Sequence, residues 1–367
     1  MSRITDLRAH LVPLELRTQY REDVEPLRWD CIVVQVITED GVEGFSQPHY
    51  LSGGRSLSET FARFYKPLVV GEDVRFTERI WQKVWAADRI GFTSLLAHGG
   101  LDVAIWDAAA KLAGIPLYQM LGAHKTAVKA YASTTTLDSV DAYVEQARGL
   151  MEEGYRAIKL HCWGDAKRDL EACAAVRDAV GPDVDLMLDA VGTYDLAGAL
   201  RVGRGLQELD FHWYEEPLPV HDLLGYRELC RSLDVPIAGG ELLGGGLYDY
   251  PQIFTDRALD IVRPGAGFFR GITPQRKAAG MAEAFNQRCE PPTYGFPLMQ
   301  AANLHVICSI PNCLFFEAPV PTGMLDVLTT STIDLDEDGY VHVPDRPGIG
   351  IDIDRDELDN RVEAVFS

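Results

Sequence analysis

The sequence has little of what would suit a chain to an oxidising compartment, a membrane or a nucleic acid. Its seven cysteines, at 31, 162, 173, 230, 289, 308 and 313, are odd in number and include no CxxC pair. That argues against a disulfide framework and against a thiolate zinc site, and for reduced thiols. Bases are scarce: 34 Lys and Arg stand against 55 Asp and Glu, a formal charge of -21. Nucleic acid and anionic membranes would repel such a chain. No apolar run approaches the length of a membrane span. The opening MSRITDLRAHLVPL alternates polar and apolar residues and lacks a signal-peptide core. Low-complexity tracts, Gly-Pro-Ser linkers and internal repeats are also missing. A cytoplasmic protein acting on a small molecule is the expectation.

What is present is ordinary globular composition, 47% hydrophobic and 24% charged over 367 residues. This is enough for two domains, or for one α/β barrel with an attached module. Residues 3–14 and 31–47 read as strands, the second stretch being a hairpin turning at Glu39-Asp40-Gly41. RTQYREDVEPLRWD between them reads as a mobile loop, and QPHYLSGGRS as a second loop. Helical periodicity follows in SETFARFYKPLV, TERIWQKVWAAD and LLAHGGLDVAIWDAAAKLAG. From Val128 strands and helices alternate, with strands in VKAYAS, YRAIKLHC, VDLMLDAV, FHWYEEP, VPIAGGE, ALDIVRP, QRCEPP and CLFFE. Eight such strands fit a (β/α) barrel better than an open sheet. An α+β module over 1–125, a barrel over 126–345, and a tail over 346–367 that folds back onto the first module are expected.

Three acids, Asp189, Glu215 and Glu241, each close a β-type run, and the intervals between them are equal. Equal spacing puts them at the same point of successive βα units, at the C-terminal rim where barrels carry their chemistry. One acid at a strand end is commonly a helix cap or salt-bridge partner. Three in register favour a metal, and three hard oxygen donors suit Mg²⁺ better than Zn²⁺.

With the segments GLDVAIWDAAAKLAGIPLYQMLG, LDA, EEP, GGE, AANLH, FFE and PGIGI, the chain resembles the enolase superfamily and its mandelate racemase-like branch. The resemblance implies a (β/α)7β TIM-like barrel with an N-terminal α+β capping domain and Mg²⁺ on Asp189, Glu215 and Glu241. It also implies a homo-oligomer and removal of a proton α to a carboxylate. Where the branch has Lys-x-Lys at the end of the second barrel strand, this chain has Lys159-Leu160-His161. Residues two apart on a strand face the same way. Lys159 would sit beside the substrate carboxylate, and His161 would be the base. The family's Asp–His dyad on the opposite face is replaced by Gly265 and Pro292, neither of which can move a proton. Val191 stands where relatives often carry Asn.

Glu317 matches the acid that hydrogen-bonds the substrate carboxylate, or is a buried acid paired with Lys159 or another cation. His49, Tyr50 and Tyr294 are the reserve candidates for a second acid. His212 and Tyr214 should face the surrounding helices, and His305 should be structural. With a base on one face only, racemisation is disfavoured. The expected activity is a Mg²⁺-dependent carbon–oxygen lyase, an acid sugar dehydratase giving a 2-keto-3-deoxy acid. A sugar-acid lactone cycloisomerase or epimerase, or a non-catalytic carboxylate-binding relative, are the alternatives.

Overall fold

The run CIVVQVI lacks polar alternation because both faces of its strand are covered. In the computed structural model, which describes residues 1–15, 28–50 and 53–367 except the side chains of Arg28, His49 and Tyr50, this run lies in strand β2. Its antiparallel sheet comprises β1 (Ile4–Glu15), β2 (Arg28–Thr38), β3 (Glu43–Ser46) and β4 (His49–Tyr50). Ile32, Val34 and Val36 point into a core shared with the helices of the first module, while Cys31 and Val33 join the larger core that envelops the barrel. The loop expected at 17–30 lies outside the described residues as far as 27, and residues 28–30 belong to β2. Part of the second expected loop is also ordered structure: β4 pairs with β2 and a helix begins at Gly54.

The helix Leu95–Ala113 is apolar on every side because it too lies between the two cores. Leu101, Ala104 and Ile105 face one, Val103 and Trp106 the other. Its approach to its neighbours is so close that two glycines are required. A Cβ at Gly44 would come within 2.0 Å of the Ala104 carbonyl oxygen, and one at Gly99 within 2.4 Å of that of Gly267. Asp107, on the same helix and fully buried, accepts the backbone N–H of Phe45 at 2.8 Å and of Ile349 at 2.9 Å. The tail then returns to the first sheet, where β14 (Ala364–Phe366) pairs antiparallel with β1.

The second sheet carries β5 (Ala127–Ser133), β6 (Ala157–His161), β7 (Asp185–Asp189), β8 (Trp213–Glu215), β9 (Ile237–Gly239), β10 (Ile261–Val262), β11 (Arg288–Cys289) and β12 (Phe315–Pro319). Neighbours are parallel in the order β11-β10-β9-β8-β7-β6-β5-β12, and β13 (Tyr340–His342) adds antiparallel to β5. Between β11 and β12, where no ladder forms, side chains close the ring. The Glu290 carboxylate accepts the N–H groups of Leu314 and Phe315, and Cys289 N–H reaches the Asn312 carbonyl at 2.9 Å. Four of the intervening helices start on a Ser or Asp cap, at Ser139, Asp165, Asp195 and Asp222, and the tail helix starts on another at Asp354.

Inside the ring Tyr131, Ala157, Met187, Trp213, Ala238, Ile261 and Phe315 form a separate apolar cluster, one residue from each of seven strands. Moving two residues along the strand keeps a side chain on the same face. The next layer is therefore Ser133, Lys159, Asp189, Glu215, Arg263 and Glu317.

One expectation needs correcting. Tyr214 does pack outward, but His212 does not meet the helices. It precedes the first residue of β8, so strand alternation does not govern it, and it lies half-buried with its ring 3.0 Å from Arg288 and 3.5 Å from Asp185.

His305 is fully buried, and its Nδ1 accepts the Tyr118 N–H at 3.0 Å. Burial pushes its pKa down to about 4 from 6.5. The unfolded chain binds a proton that the folded one refuses, so this part of the stability is whole above about pH 6.5 and is lost as pH falls toward 4. The loss should approach about 3 kcal/mol. His305→Gln should flatten that limb of a plot of thermal midpoint against pH.

Candidate active site

The charged layer above the apolar plug is a single ion network. Lys159 Nζ lies 2.8 Å from Glu215 Oε1, 2.8 Å from Glu317 Oε1 and 3.3 Å from Asp189 Oδ2, with only 2% of its side chain exposed. Strand register explains the first and last of these contacts: Asp189 pairs with His161 on one side and with Glu215 on the other. Burial alone would strip the proton from Lys159, but Glu215 and Glu317 outweigh it and keep the ammonium charged.

Arg263, completely buried, completes the network. Its Nε lies 3.0 Å from Glu215 Oε1, its second amino group 3.0 Å from Glu317 Oε2 and 3.2 Å from the Tyr131 hydroxyl. Glu317 also accepts from Ser133 Oγ at 2.8 Å and from the Thr293 N–H at 3.2 Å. Burial favours its neutral form, but Lys159 and Arg263 hold its pKa at about 2. Both of its oxygens are thus engaged within the protein. Glu215 Oε2 accepts the Trp213 indole N–H at 3.0 Å.

His161 shares Asp189 with Lys159. Its Nε2 is 3.3 Å from Asp189 Oδ2, and its Nδ1 is buried without a hydrogen-bond partner among the described residues. Asp189 is pushed up by burial and brought below the usual carboxylate range by Lys159 and His161. Its other oxygen accepts the Val191 N–H at 3.0 Å. Val191 is 59% exposed and sits at a positive φ of 47°, a conformation that a β-branched residue rarely adopts.

The third acid, Glu241, lies beyond the end of β9. Its backbone N–H points to Glu216 Oε1 at 3.3 Å, and its side chain makes no ion pair among the described residues. Loss of water contact pushes Glu241 well up despite Arg263, and Glu216, Glu317 and Glu215 add to the effect. Glu216 is buried and is pushed up to about 7 by burial and by the charges of Asp189 and Glu215. Among the described residues no three His, Cys, Asp or Glu side chains come close enough together to hold an ion. Asp189 and Glu215 are linked instead through Lys159.

In an eight-strand ring β10 stands across from β6. There Gly265 and Pro292 touch: a Cβ on Gly265 would fall 2.6 Å from Pro292 Cγ. Tyr294 lines the crevice beside them, with Met299 and Leu96. The side chains of His49 and Tyr50 lie outside the described residues.

Arg263 and Glu216 were missed by sequence reasoning. Arg263 has a signal, since in DIVRP it is in phase with the inward Ile261. Glu216 has a weaker one, the doubled acid of EEP. Its positive φ of 39° turns it out of strand phase, so alternation would have misplaced it.

A capped parallel barrel with its charged layer at the C-terminal rim is the frame of a TIM-barrel enzyme. The chain matches the family models "Enolase C-terminal domain-like" over residues 142–357 and "Mandelate racemase / muconate lactonizing enzyme, N-terminal domain" over 27–122. It belongs to the enolase superfamily. It is 30% identical to the L-talarate/galactarate dehydratase of Salmonella typhimurium, across 87% of this chain and 79% of that one. It is 29% identical to the 3,6-anhydro-alpha-L-galactonate cycloisomerase of Streptomyces coelicolor, across 96% and 97%. The D-glucarate dehydratase of Agrobacterium tumefaciens, solved complexed with magnesium, superimposes with a TM-score of 0.89 at 33% identity, covering 99% of each chain. No helix among the described residues is long and apolar enough to cross a membrane.

Arg263→Met would leave Glu215 and Glu317 buried beside a single cation. Breaking a buried ion pair in this way should cost about 3–5 kcal/mol, read as a lowered midpoint in denaturant, and Arg263→Lys should recover little of it because one ammonium cannot span both acids.

Proposed function

We propose that this enzyme is a carbon–oxygen lyase, a Mg²⁺-dependent dehydratase that removes the α-proton of an acid sugar with His161 and expels a β-hydroxyl. The observation that carries this reading is the asymmetry of the barrel mouth. A histidine stands on one side within the Lys159–Asp189 network, while Gly265 and Pro292 pack together on the other.

The donor set suits the ion in charge and chemistry, although among the described residues no three of these acids stand close enough together to hold one. Asp189, Glu215, Glu216, Glu241 and Glu317 crowd the layer and its rim, and Lys159 and Arg263 are the only fixed cations facing them among the described residues. A divalent cation bound by hard oxygens offsets such an excess. Asp189, Glu215 and Glu241 would hold Mg²⁺, which when bound acidifies the α-carbon by drawing charge onto the substrate carboxylate.

The chain's own residues do the rest. Lys159, kept charged by its acidic neighbours, orients that carboxylate and stabilises the negative charge that grows there as the proton leaves. The imidazole of His161 takes the proton from C2. The electron pair left behind forms the C2–C3 double bond as the C3–O bond breaks, and His161 returns its proton to the departing hydroxyl as water. The enol that remains tautomerises to a 2-keto-3-deoxy acid. One imidazole on one face serves both steps, which a racemase could not manage. Relatives named as dehydratases support the reading.

Purified protein with Mg²⁺ and a panel of galactarate, glucarate, arabinonate and mannonate should release a keto acid detectable as its semicarbazone. His161→Asn should lower that rate by at least about a hundredfold, the ordinary worth of a general base. Tyr294, lining the crevice beside Gly265 and Pro292, favours a second reading, epimerisation with the tyrosine as second acid. Deuterium at C2 without loss of water in D₂O would select it. Ring opening without loss of water from an anhydro or lactone substrate would select the cycloisomerase. Tight carboxylate binding with neither exchange nor turnover would select a non-catalytic binder.

Magnesium has its own readout. Saturation at a hundredfold excess over Kd should stabilise the fold by about 2.7 kcal/mol, seen as a rise in thermal midpoint that EDTA reverses and Asp189→Asn removes.

A further inference from the structure

His161 ends its strand without a neighbour on one side. The β5–β6 ladder stops at Ser133 opposite Lys159, so the carbonyls beyond that point have no strand to accept from. Side chains of the segment after β5 take over. Thr134 donates to the Lys159 carbonyl through its backbone N–H at 3.1 Å and its hydroxyl at 3.0 Å, and Thr136 Oγ1 donates to that of Cys162 at 3.4 Å. The carbonyl of His161 itself receives the hydroxyl of Tyr143.

Tyr143 is 2% exposed and comes from the first turn of the helix Val140–Glu152. Its hydroxyl accepts the Leu137 N–H at 3.1 Å while donating to His161, so one oxygen bridges the two segments. Trp163 closes the same clamp from below. Its indole N–H reaches the Leu137 carbonyl at 2.6 Å, and its ring meets Tyr143 edge to face at 5.0 Å. Trp163 is held in turn by Asp169, which accepts its backbone N–H at 2.8 Å and that of Gly164 at 3.1 Å. By contrast, the imidazole of His161 has one polar side-chain contact among the described residues, with Asp189.

We propose that Tyr143 is a positioning residue for His161, replacing the missing strand with its hydroxyl and so fixing where the imidazole meets the substrate. The proposal rests on the reading of His161 as the base. A displacement of about 1 Å in such a group costs on the order of a hundredfold in rate, and loss of one of several tethers costs less. Tyr143→Phe keeps the ring and removes only the bridge.

The test uses the full-length protein with galactarate, glucarate, arabinonate and mannonate as probes, together with imidazole ¹H–¹⁵N spectra recorded without substrate. His161→Asn identifies the His161 resonance by its loss. Tyr143→Phe should broaden or split that resonance and lower kcat about tenfold, with KM changed less than twofold. Trp163→Phe, which removes the indole N–H and keeps an aromatic ring, should act in the same direction and stands in if Tyr143→Phe fails to fold. An unmoved His161 resonance, or a moved one with unchanged kcat, overturns the proposal. If the wild type turns over none of the four acids, or His161→Asn retains its rate, the reading of the base has failed instead, and the resonance alone then decides whether Tyr143 orders the ring.

Discussion

The ammonium of Lys159 is the point on which the interior of this barrel depends. It lies within 3.3 Å of three carboxylates from three strands, and none of those acids has enough water to be solvated separately. Such a cluster is costly to bury and costly to break, because each charge left alone in the core loses both solvent and partner. The fold meets that cost by making the apolar layer beneath continuous. Seven strands each contribute one buried inward side chain to that layer. Arg263 then ties the two acids that Lys159 already shares.

The far wall is a linked pair of residues. Gly265 and Pro292 are in contact, and any side chain at 265 would overlap the proline ring. An aspartate at 265 would therefore require position 292 to change too. The same loop is pressed from above by the helix Leu95–Ala113, whose Gly99 touches the Ala266 and Gly267 carbonyls. The first module thus covers the wall formed by Gly265 and Pro292, and the apolar strand β2 and this helix are the joint through which the two cores meet.

Much of this was legible in the sequence because it follows from period. Two-residue alternation along YRAIKLH, DLMLD and FFE put Lys159, His161, Asp189 and Glu317 on one face, and the structure places them there. The eight strands of the barrel fall where alternating strand and helix patterns put them. What escaped was governed by something other than period. Arg263 shares the inward phase of Ile261, but only the convergence of β8, β10 and β12 makes it a partner to two acids. Glu216 and Val191 leave strand phase through left-handed backbone that no side-chain pattern announces. His212 fell outside its strand by one residue, enough to void the alternation argument.

Strained backbone and missing ladder bonds gather at the ends of the same strands. Beyond Asp189 the chain turns through Val191, beyond Glu215 through Glu216, and from Lys159 onward hydroxyls stand in for the ladder to β5. A parallel strand that stayed paired to its end would direct its last side chain wherever the sheet twist sent it. Ending the ladder early frees the rim to be set by local contacts, at a cost of about 1–3 kcal/mol for each strained residue. The barrel below supplies rigidity and the rim supplies direction. The proposed role of His161 as base needs both, since rigidity without direction would leave the side chain aimed by the twist, and direction without rigidity would let it move.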